Sequence, residues 1–194
     1  MKYYIGVDGG GTKTQYALFD ENKNMLSTVK TDGSNHENLE GAIPEAAGII
    51  MGGINALLNE NSLKLETVYI GGGTPTSLEA EHLKEITDAL NAYFDMKSVK
   101  EFTVEAGRPD TITPEKLQVL KNAGVTRISI NPQTFSDNVL EAIGRRHTAE
   151  DTLDKFRMAR DMGFNNINMD FIGIIHHFLC FLCRAVFLTR LIHI

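Results

Sequence analysis

The sequence predicts an α/β protein in two parts: a small ββ(β)α lobe over residues 1–62, and over residues 65–171 a parallel sheet with helices outside, either open or closed into a partial (βα) barrel. Three observations support this fold class. Two strand-like runs flank a glycine-rich turn near the N-terminus, which is typical of a hairpin. After residue 67, short apolar runs alternate with helical patterns, which indicates a parallel sheet covered by helices. A glycine triplet also follows one strand in each part.

The N-terminal lobe begins with two predicted strands, over residues 2–8 and 15–20, on either side of the first glycine triplet. Turn residues after position 20 lead into a third predicted strand over residues 25–30. Apolar residues then recur at helical spacing over residues 38–58, although glycines at positions 48, 52 and 53 weaken the pattern. The lobe is therefore expected to consist of strands followed by one helix.

The second part repeats the order strand, loop, helix. Its predicted strands cover residues 67–70, 101–105, 126–130 and 166–170, and its predicted helices cover 78–94, 114–122, 136–142 and 149–162. Thr113 and Thr148 are suited to cap two of these helices, and Pro114 suits a first helical position.

Ligand-binding groups are expected at the C-terminal ends of the parallel strands, because these ends share one edge of the sheet. Gly72, Glu105, Gln133 and Asp170 lie at or just beyond such ends. Their coincidence predicts a binding site at this edge.

Composition narrows the function classes. The chain has 194 residues and a net charge of −6, which argues against a nucleic-acid partner because phosphate contacts need a basic face. No signal peptide is evident, and the two cysteines suit a reducing, cytoplasmic setting. Small-molecule ligands are expected, with no membrane partner, and the oligomeric state is left open.

The first glycine loop has the composition of a phosphate-binding turn. Backbone N–H groups of Gly9, Gly10 and Gly11, with Thr12 and Lys13, are able to surround a polyphosphate. The carboxylate of Asp8 would then face the Mg²⁺ of ATP, directly or through water. A glycine-rich hairpin without a ligand is the alternative.

The segment YIGVDGGGTKT at residues 4–14 resembles the first phosphate motif of the BadF/BadG-type ATPases and N-acetylglucosamine kinases, which have the actin-like sugar kinase fold. The segment GSNHE at residues 33–37 resembles the sugar-binding turn of those kinases, which implies that Asn35 contacts a sugar hydroxyl. The resemblance covers about residues 1–62. The family's second phosphate motif, adenosine motif and catalytic aspartate have no counterpart in the chain, and a phosphate loop alone cannot transfer a phosphoryl group.

A second resemblance covers about residues 65–171. Five segments carry it: TVYIGGGTPT at 67–76, FTVEAGRPD at 102–110, RISINPQTF at 127–135, IGRRH at 143–147 and NNINMD at 165–170. In this order they resemble the radical S-adenosylmethionine (SAM) coproporphyrinogen III oxidases, which have a TIM-like barrel. The resemblance implies oxidative decarboxylation of coproporphyrinogen III to protoporphyrinogen IX in porphyrin biosynthesis, with S-adenosylmethionine and a [4Fe–4S] cluster as cofactors.

The same resemblance implies a set of cofactor contacts. The residues that would meet S-adenosylmethionine are Gly71, Gly72, Gly73, Thr74, Glu105, Gln133, Arg145 and Asp170. The chemistry of these residues suits S-adenosylmethionine. The carboxylate of Glu105 attracts the ammonium group of the ligand, and the guanidinium of Arg145 attracts the carboxylate of the ligand. Two of these residues also have a purely structural interpretation. Arg145 could be a solvent-exposed arginine at the end of a helix, and Asp170 could be a polar residue at the end of a strand. Arg108 and Arg146 are further candidates, for binding the propionates of the substrate.

The cluster-binding motif of that family is missing. A Cys-x₃-Cys-x₂-Cys loop upstream of the glycine turn holds the cluster, whereas this chain has no cysteine before Thr67. The expectation is therefore a catalytically incomplete relative. The competing hypotheses are an ATP-binding kinase or ATPase fragment, and a chimeric product without a settled function.

Residues 172–194 form an apolar tail of different composition. It contains Cys180 and Cys183 in a Cys-x₂-Cys spacing, with His176 and His177 nearby, which is compatible with a zinc site. Nothing else in the tail has the organisation of a metal site, so a segment of foreign origin that exposes apolar surface is the favoured interpretation. Arginines and histidines interrupt the tail, which disfavours a membrane span.

Overall fold

Two β-sheets and the helix between them organise the part of the chain that the structure describes. The structure is a computed structural model that describes residues 2–72 and 74–171. The first sheet contains three strands in the order β1-β2-β3, and the second contains four strands in the order β4-β5-β6-β7. The mixed α/β class predicted from the sequence is confirmed.

The first sheet is an antiparallel meander. Its strands are β1 (Tyr3–Gly9), β2 (Lys13–Asp20) and β3 (Met25–Asp32), and α1 (Ala42–Glu60) follows them. Side chains of β2 alternate between buried and more exposed positions, as expected for a sheet with one covered face. The predicted hairpin around the first glycine triplet is confirmed.

Helix α1 covers that sheet and starts later than the periodicity predicts. Asn35 accepts a hydrogen bond from the N–H of Glu37 and caps a single 3₁₀ turn at His36–Asn38, so the α-helix begins at Ala42 rather than near residue 38. The ring of Tyr16 is fully buried beneath α1, and its hydroxyl donates to the carbonyl of Ile49 at 2.9 Å. Burial raises the pKa of the Tyr16 phenol.

The second sheet is entirely parallel. Its strands are β4 (Thr67–Ile70), β5 (Glu101–Gly107), β6 (Arg127–Ile130) and β7 (Asn166–Asn168). The helices that connect and flank them are α2 (Ala80–Tyr93), α3 (Pro114–Asn122), α4 (Asp137–Ala142) and α5 (Ala149–Asp161). Thr113 caps α3 and Thr148 caps α5, as predicted.

One helix connects the two hydrophobic cores. The main core lies around β5 and β6, with Phe102, Val104 and Ile128 almost completely buried, and Met51 of α1 belongs to it. Ile54 of α1 packs against this core and also against the smaller core beneath the first sheet. The two parts predicted from the sequence therefore pack on each other through α1.

No helix within residues 2–72 and 74–171 is long and apolar enough to cross a membrane. The predicted tail site at Cys180 and Cys183, with its two histidines, lies outside the described residues.

Candidate functional site

Glu105 links two neighbouring strand ends of the parallel sheet. It lies on β5, and its Oε2 accepts a hydrogen bond from the backbone N–H of Gly72 at 3.3 Å. The hydroxyl of Tyr69 donates to the same oxygen at 3.2 Å, and the amide of Asn131 donates to Oε1 at 3.3 Å. The carboxylate is thus held between the glycine turn after β4 and the end of β6.

Polar side chains continue across the sheet from Glu105. The Oδ1 of Asn131 accepts from the hydroxyl of Ser129 at 2.7 Å and from the backbone N–H of Asp170 at 3.3 Å. Asn168 donates to Asp170 Oδ1 at 2.8 Å and lies 3.4 Å from the oxygen of Ser129. We call these five residues, Glu105, Ser129, Asn131, Asn168 and Asp170, the edge cluster.

Sequence reasoning missed three members of the edge cluster: Ser129, Asn131 and Asn168. A signal was present, because polar residues recur at every second position where β6 and β7 end. The strand register places Glu105 opposite Ser129 and Ser129 opposite Asn168, so these alternating residues meet on one face of the sheet.

The glycine turn after β4 requires its glycines for two different reasons. A Cβ on Gly71 would lie 2.2 Å from the ring of Tyr69 and 2.8 Å from Glu105 Oε2. Gly72 has a φ of +116°, which L-residues with a side chain rarely adopt. Thr74 lies beside Gly107, where an added Cβ would be 3.0 Å from the threonine methyl. Gly73, also predicted as a cofactor contact, lies outside the described residues.

Thr76 and Lys116 anchor the segment that follows the glycine turn. The completely buried hydroxyl of Thr76 donates to the carbonyl of Ala106 and lies 2.7 Å from the hydroxyl of Thr111. The ammonium of Lys116 donates to the carbonyl of Thr76 at 2.9 Å. These contacts fix the glycine turn against the end of β5 before any ligand is bound.

Gln133 contacts the edge cluster at Asp170, on the side away from Glu105. Its φ is +67°, and its N–H donates to the carbonyl of Asp170 at 3.2 Å. A single β-bridge to Phe171 continues the β6–β7 pairing beyond the strands. The predicted contacts Gly72, Glu105, Gln133 and Asp170 therefore do come together in space.

Three arginines line a concave surface. Arg108, Arg145 and Arg146, together with Gly144, surround a cavity of about 330 Å³. Arg108 also pairs with Asp110 at 2.7 Å, and the guanidinium holds the pKa of that carboxyl below its usual range. Among the described residues Arg145 has no hydrogen bond to the edge cluster, so the structure does not join it to Glu105. Guanidinium groups around a cavity suit a carboxylate-bearing ligand.

Comparison with known proteins identifies the family. The sequence profile of the radical SAM superfamily matches residues 54–178. The chain belongs to the radical SAM superfamily. The edge cluster and glycine turn therefore lie within a radical SAM domain, at the strand ends where barrels of parallel strands bind their ligands.

Two relatives from Bacillus subtilis are much longer than this chain. It is 51% identical over 120 residues to the oxygen-independent coproporphyrinogen-III oxidase-like protein HemZ of Bacillus subtilis, covering 61% of this chain and 24% of HemZ. It is 47% identical over 118 residues to the heme chaperone HemW of the same organism, covering 60% of this chain and 31% of HemW. The chain thus spans about a quarter to a third of these relatives.

A solved structure supports the fold. The coproporphyrinogen III oxidase HemN of Escherichia coli, described as a radical SAM enzyme, matches with a TM-score of 0.52 at 22% identity. The match covers 66% of this chain and 30% of HemN. At this identity the similarity concerns the fold of the radical SAM domain.

The cofactors implied by the radical SAM family are S-adenosylmethionine and a [4Fe–4S] cluster, and the residues present suit only the first. Glu105 of the edge cluster offers a carboxylate that suits the ammonium group of the ligand, and the glycine turn beside it lets a ligand approach the backbone closely. Residues 2–72 and 74–171 include no cysteine, and no three His, Cys, Asp or Glu side chains in them are grouped to hold a metal. The usual three thiolates of a cluster site are therefore missing there.

The first glycine loop is built as a tight hairpin. The N–H of Gly10 donates to the carbonyl of Lys13 at 3.0 Å, and the carbonyl of Gly10 accepts from the N–H of Ser34 at 2.9 Å. A Cβ on Gly33 would lie 2.3 Å from the carbonyl oxygen of Gly11, so the turn at residues 33–35 packs directly on the loop. Asp8, Gly9, Gly11, Thr12 and Lys13 are exposed to solvent.

The comparisons give no support to the resemblance of residues 1–62 to the BadF/BadG-type ATPases and sugar kinases, and the radical SAM profile begins only at residue 54. The actin-like assignment of this lobe, ATP-Mg binding by residues 8–13 and sugar binding by Asn35 remain predictions. In the structure Asn35 has a local role, as the cap of the 3₁₀ turn.

Proposed function

We propose that this chain binds S-adenosylmethionine at the C-terminal edge of its parallel sheet and does not cleave it. The observation that carries the proposal is the hydrogen bond from Gly72 to Glu105, which brings a glycine backbone and a carboxylate to one place. The chain is, on this proposal, a catalytically incomplete relative of the coproporphyrinogen III oxidases.

The donor and acceptor groups of the edge suit the amino acid and ribose ends of S-adenosylmethionine. Glu105 offers a carboxylate to the ammonium group, next to the exposed residues Gly71 and Gly72. Asp170 and Gln133 lie on the opposite side of the edge cluster, where a carboxylate oxygen is suited to accept from a ribose hydroxyl. Arg145 is proposed for the ligand carboxylate, from the arginine-lined cavity.

The absence of cluster ligands underlies the second half of the proposal. Reductive cleavage of S-adenosylmethionine in this superfamily takes its electron from a [4Fe–4S] cluster, and no cysteine precedes the glycine turn in this chain. Oxidative decarboxylation of coproporphyrinogen III to protoporphyrinogen IX, the reaction of the oxidases that the chain resembles, is therefore not expected of it.

Product analysis tests the proposal that the chain does not cleave S-adenosylmethionine. The chain is treated anaerobically with iron and sulfide, reduced, and incubated with S-adenosylmethionine, and 5′-deoxyadenosine is measured by mass spectrometry. We expect none above a protein-free control. Formation of 5′-deoxyadenosine in proportion to protein would overturn the proposal that cleavage is lost.

A second candidate function, binding of Mg-ATP by the N-terminal hairpin, is favoured by one observation. The loop at residues 9–12 is exposed, tightly turned and held by the Gly33–Ser34 backbone, so its shape is set without a ligand. Calorimetry with Mg-ATP should show binding that Asp8→Ala weakens and that Asp161→Ala, at an exposed position of α5, leaves unchanged. Absence of binding to the unmodified chain would remove this candidate.

The hypothesis of a chimeric product is tested separately. Intact-mass measurement and peptides that span residues 60–66, obtained from native cells, would show that the two parts exist as one chain. Peptides from each part without any spanning peptide would favour an artefactual junction.

A further inference from the structure

Two loops bring three arginines to one cavity. Arg108 follows β5, and Arg145 and Arg146 follow α4. Together with Gly144 they line a cavity of about 330 Å³, which is within the size range of small-molecule sites. The chain as a whole has a net charge of −6, so this concentration of positive charge is a local feature.

The backbone of both loops is held by hydrogen bonds. The N–H groups of Gly144 and Arg145 donate to carbonyls of α4 at 3.0 and 2.9 Å, in the pattern of a Schellman motif. Gly144 has the positive φ that this motif requires, +71°. In the other loop, the carbonyl of Arg108 accepts from the N–H of Thr111 at 3.0 Å and from its hydroxyl at 2.8 Å. The backbone positions that carry the arginines are therefore set without a ligand.

One carboxylate neutralises part of the positive charge at the cavity. Asp110 accepts from Nε and Nη2 of Arg108 at 3.2 and 2.7 Å, so the two side chains form a bidentate pair. Within the described part of the chain, the side chains of Arg145 and Arg146 make no hydrogen bond or ion pair. Three guanidinium groups and one paired carboxylate thus leave two positive charges at the cavity.

We propose that this cavity binds a phosphate group through Arg108, Arg145 and Arg146. A dianionic phosphate balances the two remaining charges, and its several acceptor oxygens bind more than one guanidinium at once. A single carboxylate carries one charge and is satisfied by one bidentate arginine. The inference goes beyond the proposed function, in which Arg108 and Arg146 have no role.

Calorimetric titration of the full chain with inorganic phosphate, at about pH 8 where phosphate is mainly dianionic, tests the proposal. We expect saturable binding at constant ionic strength. Arg146→Gln should raise the Kd for phosphate about tenfold, because a charged hydrogen-bond donor is lost, and Arg146→Lys should raise it less. Arg146 is exposed, so the fold should be unaffected, which circular dichroism checks.

Arg157→Gln is the matched control, since it makes the same charge change on α5 at a guanidinium that is already paired with Glu150 and Asp154. It should leave the Kd for phosphate unchanged. The titration contains no S-adenosylmethionine, so its outcome does not depend on whether Arg145 also holds the carboxylate of that ligand. A failure of this proposal and a failure of the proposed function are therefore distinguishable.

Two further probes define the chemistry of the ligand. Succinate, whose two charges lie on separate carboxylates, should bind more weakly than phosphate. Tighter binding of glycerol phosphate than of inorganic phosphate would assign the cavity to a phosphate monoester, and the opposite order would assign it to the free ion. Absence of phosphate binding to the folded, unmodified chain would overturn the proposal. Equal affinities of Arg146→Gln and Arg157→Gln, or succinate binding as tight as that of phosphate, would also overturn it.

Discussion

The backbone N–H of Gly72 donates to the carboxylate of Glu105 at 3.3 Å, which connects the turn after β4 to the neighbouring strand β5. The two residues are 33 positions apart in the chain and meet because parallel strands end at the same edge. A glycine at position 72 is needed for this contact, since its φ is +116°. The proposed ligand site therefore depends on sheet register and turn geometry together.

Glu105→Gln should weaken binding of S-adenosylmethionine by about tenfold or more, because a hydrogen bond to a charged group is worth roughly 1.5–3 kcal/mol. The substitution keeps the size of the side chain but removes its charge. Isothermal titration calorimetry measures the change. Glu81→Gln, at an exposed position of α2, is the matched control, and equal affinities for the two variants would contradict the role of Glu105.

Thr76→Val should lower the free energy of unfolding by about 1–3 kcal/mol, because it leaves the carbonyl of Ala106 and the hydroxyl of Thr111 without their buried partner. Thr76→Ser keeps the hydroxyl and is expected to cost less. Urea unfolding followed by circular dichroism measures both. A valine variant as stable as the unmodified chain would show that the glycine turn is anchored in another way.

Two neighbouring glycines of α1 should respond in opposite ways to alanine. A Cβ on Gly53 would lie 2.2 Å from the buried ring of Tyr16, so Gly53→Ala should destabilise by about 1–3 kcal/mol through overpacking. On Gly52 the nearest atom is 3.8 Å away, on Tyr93, so Gly52→Ala should stabilise by about 0.5–1 kcal/mol through helix propensity. Thermal unfolding distinguishes them, and equal shifts would contradict the packing of α1 on the sheet.

The cap of α5 should make stability depend on pH. Hydrogen bonds from the backbone N–H and hydroxyl of Thr148 hold the pKa of Asp151 below its usual value. A lowered folded pKa stabilises the fold above the ordinary carboxyl pKa, and this stabilisation is lost as the pH falls through the folded value. Asp151→Asn should thus be less stable than the unmodified chain at neutral pH, with the difference shrinking in acid.

Thr148→Ala removes the other half of the same cap and should cost about 1 kcal/mol at neutral pH. Thr148→Ser, which keeps the accepting oxygen for the N–H of Asp151, is the control. Urea unfolding at several pH values checks both residues. A pH-independent difference for Asp151→Asn would contradict the role of its charge.

The regular elements could be predicted because local patterns specify them. Buried runs such as Phe102–Val104 and caps such as Thr148 fix strands and helix starts within a few residues. The start of α1 could not be predicted. The apolar spacing predicts a helix from residue 38, whereas Asn35 caps a separate 3₁₀ turn at His36–Asn38 and the α-helix begins at Ala42. The packing of α1 on both cores also depends on tertiary contacts such as Gly53 against Tyr16.

The candidate site was predictable only in part. Gly72 and Glu105 follow from their positions at strand ends, whereas the contributions of Asn131 and Asn168 depend on the register of β6 against β5 and β7. The burial of Lys116 beneath the turn had no signal, since an exposed helical lysine has the same sequence pattern. The resemblance to the oxidases supplied Arg145, which the structure places in the lining of a cavity with Arg108 and Arg146.

The most direct test of the central claim is calorimetric titration of the unmodified full chain with S-adenosylmethionine. We expect saturable binding of one equivalent per chain, which Glu105→Gln weakens. Absence of any binding to the folded, unmodified chain would contradict the account, because the glycine turn and Glu105 would then be arranged for no such ligand.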